Sequence, residues 1–448
     1  MDRQIKNIQR QLKLIAVTGL VIFPFLLLAQ VGGKDSLLVE VTLKNAIDYA
    51  MVHQPLIRQS LIDQQIVEFS IKSKLSEMYP QVNFNYSLQH NFIIQTAVIG
   101  GNNVKLGVNN TSSGHFTFSQ AIFDKELLLA NRTRTDVRQQ VRQATSANKI
   151  DLAADVSKAF YDVLSTMQQI KISGENIVRI ERSLKDAYNQ YQSGVADKID
   201  YKRATITLNN SNAAKRSNEE LLKAKLEYLK SLMGYPVSGT LNIVYDSAQL
   251  EKDMLLDTLQ APDYRARIEY RILETQQRLL QYNVKYHKWG YLPTVSANGA
   301  YNLNYQNNNF GKIYSNNFPN SFAAITLGLP LFQGGKRKAD TRMAELGLQR
   351  NVLDIINLKN RINSGYAQAL ALYKSNLQNW LALKENLSLA KEVYDVIQLQ
   401  YRSGIKTYLE VITSETDLRT SQINYYTAMY QLMASKIDVQ KTLGQINY

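Results

Sequence analysis

The chain has 448 residues, 45% of them hydrophobic, which is enough apolar side chain to bury a large core and excludes a disordered polymer. Only 8 prolines and 21 glycines favour long uninterrupted elements, and the absence of cysteine excludes disulfides, thiolate metal sites, a cysteine nucleophile and a lipid on an N-terminal cysteine. A formal charge of +14 leaves both nucleic acid and an anionic membrane surface open as partners.

Residues 1–30 read as a signal peptide. Arg3, Lys6, Arg10 and Lys13 form a basic start, Leu14 to Leu28 an apolar run of 15 residues, and Ala29 a small residue where cleavage is expected. A membrane-spanning helix needs about 20 apolar residues, and Pro24 interrupts this run. Removing the segment leaves 48 basic and 37 acidic residues, a charge of +11 on an exported protein. Beyond residue 30 no stretch of 18 apolar residues occurs, so any membrane span is expected to be β.

After a first helix come strands. Val82, Phe84, Tyr86, Leu88 and Phe92 alternate with Asn83, Asn85, Ser87, Gln89 and Asn91, which predicts a strand over about 81–92 with one apolar and one amide face. A partner strand over about 113–123 carries Phe116, Phe118 and Ile122. The Gly- and Asn-rich segments 97–112 and 306–320 read as loops in water. Runs of this length, rich in Tyr and Phe and following an export signal, favour a lipid-facing barrel over a half-buried soluble sheet. Four strands cannot close a barrel, because the smallest have about 8. The chain must therefore oligomerise, and two or three copies both remain open.

A helix follows over about 124–192 without proline, a rod of roughly 100 Å at about 1.5 Å per residue. Val156, Phe160, Val163, Met167, Ile170, Gly174, Ile177, Leu184 and Tyr191 follow a 4-3 spacing that predicts a coiled-coil seam. Gly194 breaks the rod, and a second helix over about 197–232 makes a hairpin with a tight tip.

After a linker over 235–262 the unit is written again over 263–448. Its strands are expected at about 293–305 and 321–332, its long helix at about 336–402 and its return helix at about 406–443. Tyr191-Gln192-Ser193-Gly194-Val195 recurs as Tyr401-Arg402-Ser403-Gly404-Ile405, and Tyr79-Pro80 and Ile122-Phe123 recur as Leu292-Pro293 and Leu331-Phe332. Four landmarks in the same order, counting the Gly234 and Gly444 helix ends, predict a tandem duplication of about 210 residues. The second seam is Trp380, Leu383, Leu387, Ala390, Tyr394, Ile397 and Tyr401. Six residues beyond each tip glycine stands an acid, Asp200 and Glu410, and in a multi-subunit tube such acids would form rings of negative charge.

These features together resemble the TolC-like outer-membrane efflux proteins. The resemblance spans essentially the whole mature chain, carried by the repeated strand-strand-helix unit, Pro55-Leu56, the junction Leu329-Pro330-Leu331-Phe332-Gln333-Gly334-Gly335 and the Tyr-x-Ser-Gly tips. It implies a mixed α and β membrane protein: a homotrimer whose 12-stranded outer-membrane β-barrel, four strands per chain, continues into a periplasmic α-helical coiled-coil barrel. It further implies a passive exit duct of a tripartite efflux or type I secretion system. The partners would be a periplasmic adaptor and an inner-membrane pump or ABC transporter. Matched residue by residue, Tyr401, Asp200, Lys406 and Glu410 fall at the aperture, with Asp200 as the acidic partner of Tyr401. Lys406 stands where arginine is familiar, and a lysine cannot reproduce its fork. Thr413 stands where an acid is familiar. Gly194, Val195, Gly404 and Ile405 resemble the adaptor-docking tips.

An enzyme is poorly supported. His53, His90, His115 and His287 are scattered and no catalytic or cofactor-binding motif accompanies them. The runner-up is a secreted or periplasmic coiled-coil protein binding anionic polymers, which leaves the amide-aromatic strands unexplained; nucleic-acid binding ranks third. Basic clusters at Lys125, Arg132, Arg134, Arg138 and Arg142, and at Lys336, Arg337, Lys338 and Arg342, are expected near the membrane, where outward-facing members would meet outer-membrane lipid.

Overall fold

A computed structural model describes residues 39–195, 197–245, 251–252 and 254–448. The expected signal peptide, residues 1–30, lies outside the described residues. Among the described residues no helix is long and apolar enough to cross a membrane.

Two short helices come first among the described residues. α1 (Leu43–His53) is capped by Thr42, and α2 (Pro55–Ser76) starts on a proline, whose missing N–H costs nothing in a first turn. Four long strands then form one antiparallel sheet. They are β1 (Gln81–His90), β4 (Asn110–Phe123), β5 (Thr294–Asn307) and β6 (Asn320–Gly328), in the order β1-β4-β5-β6. A small hairpin, β2 (Thr96–Ile99) with β3 (Asn102–Lys105), occupies the segment read as a plain loop.

The register aligns like with like across the sheet. Phe84 faces Phe116, which faces Tyr301. One residue along, Asn85 faces His115, which faces Asn302, which faces Asn320. The polar row is hydrogen-bonded, His115 Nδ1 lying 2.8 Å from Asn302 Oδ1 and Asn302 Nδ2 donating to Asn320 Oδ1 at 2.6 Å. The apolar side chains on the other face, including Val82, Phe84, Tyr86, Ile325 and Leu327, stand exposed.

Strand ends differ from the alternation for local reasons. Phe92 falls outside β1, since the chain leaves the ladder after His90 and its ring is 89% exposed. A bulge after Ala121 brings Phe123 opposite Val295 and takes Ile122 out of register. β6 stops at Gly328 rather than near 332, because Pro330 has no N–H for the ladder.

Helices make up most of the rest of the described residues. α3 (Lys125–Gln192) is capped by Asp124, which accepts from Glu126 and Leu127 N–H, and α4 (Lys198–Met233) is capped by Asp197. α5 (Ile268–Lys288) precedes β5, while α6 (Lys336–Arg402) and α7 (Tyr408–Leu443) close the chain. α3 packs against α4 and α7 and also meets α1, α2 and α5; α6 packs against α7 and α5. The seam expected of α3 is accordingly too narrow. From Leu152 to Ile180 buried residues point in all directions, among them Ala153, Ala154, Tyr161 and Leu164. α6 keeps a one-sided stripe, with Tyr373, Trp380 and Tyr394 buried on one heptad line. Between the halves, Val41 forms a parallel bridge with Ile243, and the Tyr373 hydroxyl donates to Met254 O at 3.0 Å while accepting from Leu256 N–H at 3.0 Å.

Candidate functional site at the helix tips

Both hairpin tips turn on the same backbone. At the first, Val195 N–H donates to Gln190 O (2.9 Å) and Gly194 N–H to Tyr191 O (3.1 Å); at the second, Ile405 N–H donates to Gln400 O (2.9 Å) and Gly404 N–H to Tyr401 O (3.0 Å). This is the Schellman arrangement, and the glycines supply its left-handed residue at φ +74° and +76°. Each motif presents its next residue outward: Val195 is 78% exposed and Ile405 71%.

The aperture candidates lie around these turns. Tyr401, at the end of α6, is half-buried against a small core of Ala187, Ala204 and Tyr408 that joins both hairpins. Its hydroxyl donates to Gln190 Oε1 at 3.1 Å, a bond between α6 and α3 that links the two halves of the chain. Asp200 is therefore not its hydrogen-bonding partner within this protomer. Burial pushes the Tyr401 hydroxyl above its ordinary value, and the nearby charges of Asp200 and Asp186 push the same way. Asp200 sits in the first turn of α4 with no side-chain hydrogen bond or ion pair among the described residues.

Lys406 and Glu410 are brought together. Lys406 Nζ donates to Glu410 Oε1 at 2.6 Å, while Glu410 Oε2 accepts from the Thr407 N–H at 2.9 Å and its hydroxyl at 3.0 Å. Those bonds, Lys406 first, hold the Glu410 carboxyl at about 2. Glu410 thus serves as a helix-start clamp as well as a charge at the tip. Thr413 is exposed and returns its hydroxyl to Leu409 O at 2.9 Å.

Several residues here carry no sequence signal. Above the second tip a cleft of about 290 Å³ lies between α3 and α6, lined by Arg179, Arg182, Asp186, Tyr394, Tyr401 and Arg402. Beside it Glu415, five residues beyond Glu410 on α7, is 4% exposed, and Arg179 Nε lies 3.4 Å from its Oε1. Burial raises the Glu415 carboxyl and the arginine only partly offsets this. Gln190, Arg179 and Glu415 look like ordinary polar helix residues in sequence. Only the packing of α3 against α7 brings Arg179 and Glu415 together across 236 residues of chain.

A four-stranded sheet with one aromatic and one amide face, followed in each half by a helix of 68 or 67 residues, defines a class in which a sheet portion and very long helices share one chain. The profile of the outer membrane efflux protein family matches residues 46–235 and 271–445, and the chain belongs to that family. Over 95% of its length it is 19% identical to the outer membrane protein TolC of Escherichia coli K12, covering 87% of that protein. It is 21% identical, over 93% of its length and 89% of the relative's, to the cation efflux system protein CusC of the same strain. Among solved structures, a membrane protein from Pseudomonas aeruginosa superposes with a TM-score of 0.73 at 18% identity, covering 91% of this chain and 93% of that one.

Proposed function

We propose that the protein is one third of an outer-membrane exit duct in a Gram-negative cell. Three chains would contribute twelve strands to a closed barrel, and their long helices would extend the tube through the periplasm. The observation that carries this reading is the sheet: β1 and β6 are the unpaired edges of a sheet of only four strands. Its exposed apolar face suits lipid, and its hydrogen-bonded Asn, Ser and His face suits a water-filled lumen. Open edges do not survive in hydrocarbon, so the edges must meet those of other copies.

In this reading the duct is passive. Substrates arrive from an inner-membrane pump or ABC transporter through a periplasmic adaptor that docks on the tips at Gly194, Val195, Gly404 and Ile405. Tyr401 with Gln190, and Lys406 with Glu410, hold the aperture closed, and Asp200 offers the uncompensated charge. The homology of halves fits an internal duplication, each half running strand, strand, rod and return helix. The outer membrane is the expected address, as it is for the relatives by name.

The test is the assembled protein in detergent. A heat-modifiable trimer that forms ion-conducting channels in planar bilayers is the expected result. A monomer free in the periplasmic fraction would instead favour a soluble coiled-coil binding protein.

A further inference from the structure

The junction between sheet and helices holds a second built feature. The Arg337 guanidinium lies 4.5 Å over the Tyr291 ring, and it also donates to Gln333 Oε1 at 3.1 Å and to the Pro330 carbonyl. Next to it opens a cleft of about 310 Å³, lined by Lys288 from the end of α5 and by Arg337, Lys338 and Arg342 from the first turns of α6. One carboxylate answers these four cations: Glu345 lies 3.6 Å from Lys288 Nζ and 3.4 Å from Arg342 Nη1. Lys338 has no ion pair or hydrogen bond among the described residues. The cleft therefore carries an excess of positive charge.

Its surroundings say what fits. Leu331 and Phe332, on the segment joining β6 to α6, are 84% and 89% exposed. Alongside, Lys125 lies 4.9 Å over the Tyr286 ring and Arg132 5.5 Å over Trp289. Bare apolar side chains, amphipathic rings and cations in adjacent turns match the layered chemistry of a bilayer edge, where acyl chain, glycerol and phosphate follow one another. Not every basic residue of the junction takes part. Arg138 forks onto Glu68 at 2.6 and 2.9 Å, and Lys336 pairs with Asp340.

We propose that the cleft formed by Lys288, Arg337, Lys338 and Arg342 beside Tyr291 binds the headgroup phosphate of an anionic phospholipid in the periplasmic leaflet. Lys338 and Arg342 supply the exposed charge, Arg337 is held in place by Tyr291 and the Pro330 carbonyl, and Leu331 and Phe332 meet the acyl chains. This rests on the reading that the sheet lies in the outer membrane.

The test is native mass spectrometry of the detergent-purified protein with phosphatidylglycerol or phosphatidylcholine, followed by reconstitution in vesicles of the same lipids. Wild type should retain phosphatidylglycerol preferentially. Lys338→Gln with Arg342→Gln should lower that retention roughly twenty-five-fold, about five-fold per cation. Glu345→Gln should raise it, because Lys288 and Arg342 lose their internal competitor. Lys198→Gln, at the distant first tip, is the charge control and should leave it unchanged. Equal retention of the two lipids, a double variant as retentive as wild type, or full displacement by millimolar inorganic phosphate would overturn the proposal, the last by assigning the cleft to free phosphate. Channel conductance of the same samples separates the two readings. A double variant that conducts normally without lipid preference upholds both, whereas a wild type that never conducts sinks the duct and leaves the retention data to be read independently.

Discussion

At the first hairpin tip Gly194 turns the chain at φ +74°, and at the second Gly404 turns it at +76°, with matching Schellman bonds around each. The acids six residues on do not match. Among the described residues Asp200 is unpaired, whereas Glu410 is clamped by Lys406 and Thr407, and Glu415 is buried five residues further along where the first hairpin has Thr205. Equal backbones thus carry unequal electrostatics. Backbone geometry at a tip is set by one glycine, but the state of a carboxylate is set by neighbours from other helices, and those neighbours differ between the halves.

Glu415 gives the largest expected effect. Its folded carboxyl is raised above the ordinary value, so the folded state binds the proton more tightly than the unfolded chain does. The sign follows: this group favours folding at low pH, and that contribution is lost as pH rises through the folded value. Glu415→Gln should flatten the pH dependence of thermal unfolding and raise the transition on the alkaline side, the removed penalty being about 1–3 kcal/mol for a buried group with an imperfect partner. Arg179 is a quarter exposed and its Nη2 already donates to Asn176 Oδ1 at 3.5 Å, so neutralising its acid does not leave the guanidinium without a partner. A variant with the wild-type pH slope would put the acid back among solvated residues.

Next comes the bond that ties the halves together. Tyr401→Phe removes one hydrogen bond to Gln190, worth about 1 kcal/mol, or roughly a five-fold shift between closed and open apertures. Gln190→Ala should produce the same rise in open-channel activity in planar bilayers, and the double variant should add little to either. Additive effects would mean that the two residues act through different contacts.

The acids themselves should separate in ion selectivity. Asp200→Asn removes an uncompensated charge and should lower cation preference about two-fold. Glu410→Gln removes one half of a pair and frees Lys406, so a net change of similar size should appear only if Lys406 faces the pore. Adding Lys406→Gln should then restore the wild-type value. Identical selectivity for Asp200→Asn and wild type would show that the first tip lies away from the ion path.

Much of this was open to reading in the chain. Strand alternation at Val82, Phe84, Tyr86 and Leu88 is legible because period two is written in adjacent residues, and the tips are legible because the left-handed turn needs glycine. The bulge at Ile122 and the end of β6 before Pro330 blur the same pattern within a residue or two. Of the proposed aperture, the sequence places Tyr401, Asp200, Lys406 and Glu410 near the turns, since each lies within seven residues of a tip glycine. It does not say that Tyr401 bonds Gln190, nor that Glu415 is buried. An acid on a solvated helix and an acid beneath a crossing helix have the same local sequence, and only the contact between α3 and α7 tells them apart.

The smallest expected effect is also the sharpest check on the inequality of the tips. The Glu410 carboxyl sits at about 2, below the ordinary carboxylate range, through bonds that favour its charged form. Its contribution to the first turn of α7 is therefore complete above the unfolded value and is lost as pH falls through about 2. Amide exchange of that turn, compared between wild type and Glu410→Gln, should differ near neutral pH, and the difference should persist well below the pH at which an ordinary glutamate protonates. Because the side chain stands at the surface, the difference is modest and weakens with salt. If it vanished already near pH 4.5, the Lys406 and Thr407 clamp would contribute nothing to the Glu410 carboxyl, and the inequality of the tips would rest on Glu415 alone.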